Sequence, residues 1–215
     1  RAVERSRGLG DVYKRQDFTG AYAEYFYLRP GHFVLRTPDH LNDRVVAPLN
    51  CALAQVIYGL SQVDLSAGEY VVIQGAGGLG LYATAVAREA GATNIVVLDK
   101  RQDRLALAKE FGADHVLNVD DFEGPERRVE AVADLTGGGG HVVAELVGHP
   151  SALTEGIQMA RNEGRYLVIG NISHKHTIPF NPSWLVHQNR RMVGVLSLIH
   201  ISEPTRPLYI SYAVF

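Results

Sequence analysis

Cysteine is almost absent from this chain of 215 residues: Cys51 stands alone, so no internal disulfide framework can form. A reducing compartment, the cytoplasm, is the expected location. Nowhere do eighteen apolar residues follow one another, and no membrane span is expected. Neither sign of charge is in large surplus: 21 Lys and Arg against 23 Asp and Glu give a net charge of −2, which suggests no nucleic-acid partner. Internal repeats and low-complexity tracts are missing too. What is present is 46% hydrophobic and 20% charged, enough for a packed core. The length suits one generous domain, or one domain with a fragment of another.

An initiating Met is also lacking, and the first sixteen residues are basic, with Arg1, Arg5, Arg7, Lys14 and Arg15 against Glu4 and Asp11. An Arg-rich targeting segment is one reading. The genetic code offers another. Eleven codons that can encode SRGLGDVYKRQ, residues 6–16, read on their reverse complement as LSLIHISEPTR, which is residues 196–206 of the same chain. That DNA resembles a transposase-type sequencing adapter. Residues 1–16 and 196–215 are therefore expected to be a non-native head and tail around an insert at 17–195. Setting aside their six Lys/Arg and three Asp/Glu leaves 15 against 20, a net −5. Neither end is expected to pack, although residues 196–201 are β-prone.

Within the insert, residues 20–28, GAYAEYFYL, and residues 33–35 have the composition of short strands closed by Pro-containing turns. Leu49, Leu53, Val56, Ile57 and Leu60 recur at helical spacing and predict a helix within 48–63. From there strands alternate with helices. Strands are expected at 70–73, 95–98, 115–117, 141–146, 166–169 and from 191; helices are expected at 79–90, 102–111, 125–135 and 150–160. This alternation predicts βαβ units and an α/β, doubly wound parallel sheet.

The sharpest motif is GAGGLG at 75–80, which leaves an apolar strand and opens a helix, with Asp99 nineteen residues after Gly80. Such a constellation suits a dinucleotide. Gly75 permits the tight turn, Gly77 lets the backbone approach a pyrophosphate, and Gly80 lets the helix settle on the sheet. Gly78 and Leu79 complete the turn into a helix whose N-terminus presents free N–H groups to phosphate. Asp99 can accept both hydroxyls of an adenosine ribose and would repel a 2′-phosphate, favouring NAD over NADP. Lys100 and Arg101 beside it work against that preference. Among the histidines, His174 and His176 read as a solvated loop, and His149 before Pro150 reads as a helix start.

The succession GAYAEYFYL, LNCALAQVIYGL, GEYVVIQGAGGLGLYATAVAREAGATNIVVLDK, ELVGHP and GRYLVIGN resembles the medium-chain alcohol dehydrogenases over essentially all of 17–195. It is most similar to their zinc-binding branch, because Cys51 in APLNCALA stands where that branch has a ligand of its catalytic zinc. The resemblance implies that residues 17–50 are a small β remnant of a GroES-like catalytic domain. It implies that residues 51–195 are a linking helix and an NAD-binding Rossmann-type domain. It places Gln55 toward the nicotinamide, Arg104 with Asp99 at the adenosine ribose with Lys100 among the cofactor-binding residues, Val147 and Gly148 along the ribose, and Ile169, Gly170 and Asn171 near the carboxamide. NAD and, in the longer enzyme, zinc are the implied cofactors, an alcohol or carbonyl compound the substrate, and a homodimer or homotetramer the assembly. The family's other zinc ligands, its GHE segment and its proton relay are absent, so this chain is expected to be inactive. Two alternatives stay open: a fragment of a zinc-free quinone or enone reductase of the same superfamily, and a non-catalytic nucleotide-binding module.

Overall fold

A computed structural model describes residues 34–170 and 177–196. The chain divides into two compact units, Arg1–Leu41 and Asn42–Phe215. In the first, only residues 34–41 are described. Of the expected strand at 33–35, Phe33 lies outside the described residues, and Val34 and Leu35 have no strand partner among the described residues and are 61% and 57% exposed. β-prone composition alone does not hold a strand that lacks a ladder to join. The other expected strand, 20–28, lies outside the described residues, as do His174 and His176.

The second unit opens with a short helix, α1 (Asp43–Val46), capped by the Asn42 side chain, which accepts from the Arg44 N–H at 2.8 Å. A π-helical turn, Leu49–Leu53, then runs directly into α2 (Ala54–Gln62). By length and composition the run Asp43–Gln62 could cross a membrane. Within that run Val56 and Leu60 of α2, and Val63 just after it, are buried against the sheet. Ile57, read as part of that apolar stripe, instead faces outward.

Six parallel strands follow: β1 (Tyr70–Gln74), β2 (Asn94–Asp99), β3 (His115–Asn118), β4 (Gly140–Glu145), β5 (Ala160–Val168) and β6 (Arg191–Gly194). Their order is β3-β2-β1-β4-β5-β6. Crossing between them are α3 (Gly78–Glu89), α4 (Gln102–Glu110), α5 (Pro125–Thr136), α6 (Pro150–Met159) and a short α7 (Ser183–Val186) that sequence periodicity did not announce.

The strands are apolar on both sides because helices cover both faces. Val71 and Ile73 of β1 join Val56, Leu60, Ala83 and Ala87 on one face, whereas Val72 joins Val132, Ile157 and Tyr166 on the other. Helix ends follow local chemistry. Gly137 closes α5 in the left-handed conformation, and His149 caps α6, its Nδ1 accepting from the Ser151 N–H at 3.3 Å.

Strand β5 starts six residues earlier than expected. Gly140 pairs with Ala160, but Val142 pairs with Arg165, so residues 161–164 bulge out of the ladder, with Glu163 at φ 61°. The segment NEG is polar and turn-like, which hid the first rung from a reading of pattern alone.

Candidate functional site

The strand order reverses between β1 and β4, and in doubly wound sheets the ligand-binding cleft lies at such a reversal, beyond the carboxyl ends of the strands. Three connections line it: the GAGGLG turn after β1, residues 146–149 after β4, and residues 169–170 after β5. Gly75 leaves β1 at φ 97°, in the left-handed region, and its N–H donates to the Leu98 carbonyl at 2.7 Å. A Cβ on Gly80 would land on the Gly75 carbonyl oxygen, so only glycine lets α3 sit this close to the strand it follows. Gly77 is the N-cap of α3 and supplies no side-chain cap. Beyond its Cα the nearest atom to a hypothetical Cβ is Nη1 of Arg104, 3.9 Å away. The opening N–H groups of a twelve-residue helix thus face room for an anion.

Asp99 ends β2 beside this turn. Its Oδ2 accepts from the Ala76 N–H at 2.7 Å, and its Oδ1 accepts from the Arg101 N–H at 2.9 Å. The carboxylate therefore latches the glycine turn to β2, and its side chain is only 9% exposed. The Arg104 guanidinium lies over it, Nη1 to Oδ2 3.9 Å. Arg101, a cation that could have drawn in a 2′-phosphate, is turned away onto Asp103, with contacts of 3.0 and 2.5 Å. That pair holds the Asp103 carboxyl down at about 2, chiefly through the hydrogen bond from Arg101. Lys100 is exposed at the rim.

The far side of the cleft rests on residues that the sequence pattern did not single out. Glu145, fully buried at the end of β4, accepts through Oε1 from the N–H groups of Val147 at 2.8 Å and Gly148 at 2.6 Å. Its backbone carbonyl accepts from Ile169 and Gly170, each at 3.1 Å. Beneath it, the Tyr166 hydroxyl lies 2.9 Å from Gln74 Oε1 and 3.1 Å from the Ala152 carbonyl, and the Gln74 amide donates to that same carbonyl at 3.0 Å. Burial pushes the Tyr166 hydroxyl well above the usual tyrosine range, and the charges of Glu145 and Glu155 push the same way. One signal for this network was available: Glu145 is an acid at the end of an otherwise apolar strand.

The remaining expected positions divide. Gly75, Gly77, Gly78, Leu79, Gly80, Asp99 and Arg104 gather on the β1–β2 side of the cleft, and Val147, Gly148, Ile169 and Gly170 on the β4–β5 side. Val147 is 52% exposed at the lip. Gln55 is buried, and its amide donates to the Leu196 carbonyl, so it is engaged with the chain after β6. Asn171 lies outside the described residues. Cys51 is exposed in the π-helical turn. Among the described residues no group of three His, Cys, Asp or Glu is placed to hold a metal.

Comparison with known proteins places this geometry. A family model described as zinc-binding dehydrogenase matches residues 78–204. The 5-exo-hydroxycamphor dehydrogenase of Pseudomonas putida is 34% identical over 177 residues, which are 81% of this chain and 49% of that protein. An L-threonine 3-dehydrogenase of Bacillus velezensis is 38% identical over 151 residues, 70% of this chain and 42% of that one. Among solved structures, an alcohol dehydrogenase of Thermotoga maritima superposes with a TM-score of 0.72 at 35% identity, covering 76% of this chain and 45% of that one. The chain thus spans about half the length of the relatives it matches.

Proposed function

The chain belongs to the zinc-binding dehydrogenase family, and from that premise we propose that it is the NAD(H)-binding portion of an alcohol or polyol dehydrogenase. The observation that carries this reading is the latch between Asp99 and Ala76. It fixes the glycine turn, the helix N-terminus and a buried carboxylate within reach of one nucleotide.

In this reading the N–H groups that open α3 take the pyrophosphate, and Gly77 leaves the space for it. Asp99 has lone pairs left beyond its two backbone bonds, and these accept the adenosine ribose hydroxyls while Arg104 closes over them. With the adenosine on the β2 side, the nicotinamide half runs the other way, over Val147 and Gly148 and past Ile169 and Gly170. When bound, the dinucleotide supplies the hydride acceptor or donor that interconverts an alcohol and a carbonyl compound. Because Arg101 is taken up by Asp103, the 2′-position meets the Asp99 carboxylate, and NAD is preferred to NADP.

Zinc sites in proteins use about four ligands, and Cys51 alone among the described residues does not fit the ion. Cys51 is offered only as one zinc ligand of the longer protein, which we take to be a homodimer or homotetramer. The chain as it stands is expected to bind nucleotide without turning over alcohol.

Calorimetric titration of the whole chain with ADP, NAD and NADP tests the reading. Binding of ADP, with NAD tighter than NADP, is the expected result. No binding of ADP would refute the nucleotide site itself.

A further inference from the structure

Resting on that reading, we propose that Glu145 is a positioning residue for the nicotinamide half, and that its buried negative charge biases the site toward the oxidised, cationic ring. Glu145 touches neither substrate nor cofactor; it acts through the backbone of the two loops above it. Its carboxylate takes the Val147 and Gly148 N–H groups, and its carbonyl takes those of Ile169 and Gly170. One residue thereby sets the spacing of both connections that face the nicotinamide.

The spacing has little slack. A Cβ on Gly148 would come 2.9 Å from the Gly170 carbonyl oxygen, and one on Gly170 would come 2.5 Å from the Gly148 nitrogen and 2.9 Å from Glu145 Oε1. On the other flank a Cβ on Gly75 would lie 3.1 Å from the Leu146 carbonyl oxygen. The three loops are therefore in near contact, main chain against main chain, with the Glu145 carboxylate under the middle one. No apolar side chain could replace it without leaving the Val147 and Gly148 N–H groups short of an acceptor.

The charge has a consequence separate from the tether. Oxidised nicotinamide carries a positive charge and reduced nicotinamide is neutral. A carboxylate shielded from water below the ring favours the oxidised form, because Coulombic interaction is weakly screened there. The adenosine half, on the β2 side, does not feel this difference.

Glu145→Gln separates these effects, since the amide keeps an oxygen acceptor but loses the charge. Titrations of the whole chain with ADP, NAD and NADH are compared before and after substitution. We expect ADP affinity to stay within about twofold and the preference for NAD relative to NADH to fall by about threefold or more. Glu145→Asp, which keeps the charge and shortens the tether, is expected to retain that preference while weakening both dinucleotides against ADP. An unchanged NAD-to-NADH ratio in Glu145→Gln overturns the inference while leaving the nucleotide site standing. Failure of the unsubstituted chain to bind ADP overturns both. If Glu145→Gln does not melt cooperatively, Gly170→Ala strains the same loops from above. Loss of NAD and NADH affinity by about fivefold with ADP retained supports the tether, and equal loss of all three overturns it.

Discussion

Replacing Asp99 by Asn tests the most specific electrostatic statement about this site. The carboxylate accepts two backbone N–H groups and is 9% exposed, so solvent does little to dilute its interactions. An Asn side chain can offer its oxygen to only one of those donors, and its amide then faces the other. Losing one charge-assisted bond to backbone costs about 1.5–3 kcal/mol, and a loss at the lower end lowers the melting temperature of a chain this size by roughly 3–6 °C. The cofactor preference shifts independently. Two like unit charges about 6 Å apart repel by about 3 kcal/mol at an effective dielectric near 20. Arg104, 3.9 Å from Asp99, and mobile ions offset about half of that. The remainder, about 1.4 kcal/mol, corresponds to roughly a tenfold bias against a 2′-phosphate. Asp99→Asn should therefore lower the ratio of the NADP to the NAD dissociation constant by about tenfold. The assay is paired calorimetric titration at low and at physiological salt, with the effect larger at low salt. An unchanged ratio, or NADP binding tighter than NAD before substitution, would refute the argument.

Removing the Tyr166 hydroxyl with Tyr166→Phe leaves Gln74 Oε1 without its donor in the buried layer under the cleft. A loss of about 1–2 kcal/mol is expected, read as a lower guanidinium midpoint at constant slope; an unmoved midpoint would show that the hydroxyl contributes nothing. His141 gives a pH dependence. Burial lowers its pKa below 6.5, Arg161 and Arg165 push the same way, and Glu69 opposes them. The Tyr70 N–H donating to Nδ1 at 3.0 Å likewise requires that nitrogen unprotonated. The unfolded chain then binds the proton more readily, so this contribution is complete above pH 6.5 and is lost as pH falls toward the folded value. Melting curves from pH 7.5 to 5.5 should slope down for the parent chain and be flatter for His141→Gln; identical slopes would sink the assignment. Breaking the Arg128–Glu155 pair, held at 2.7 and 2.8 Å between α5 and α6, should show a coupling of about 1–2 kcal/mol in a double-mutant cycle. Coupling near zero would mean the two residues act separately.

The order of elements was legible because the central strands β1, β2 and β4 are buried on both sides and read as short apolar runs. GAGGLG and Asp99 were legible because their spacing is local. The latch from Asp99 to Ala76 was not, since it depends on the register that sets Gln74 opposite Leu98. Glu145, Gln74 and Tyr166 escaped notice for a similar reason. Each is a polar residue at the end or middle of a strand; Tyr166 and Gln74 are brought together across β4 from positions remote in sequence, and the Glu145 carboxylate turns back onto the N–H groups of Val147 and Gly148 just after it, a loop conformation that pattern does not display. Val34 and Leu35 show the opposite failure, where β-prone composition promised a strand that no neighbour completes among the described residues.

The pairing of β1 with β4 gives the molecule a sequence of assembly. Val71 lies beside Val142 and Gln74 beside Glu145, whereas β1 with β2 and β2 with β3 close over far shorter stretches of chain. Closing the longer loop costs more entropy before any contact offsets it. The two flanks of the cleft should thus meet late, after the β1–β3 half has formed. A nucleotide that needs both flanks has nothing to hold in the folding transition state. It should slow unfolding of the chain and leave the folding rate where it was.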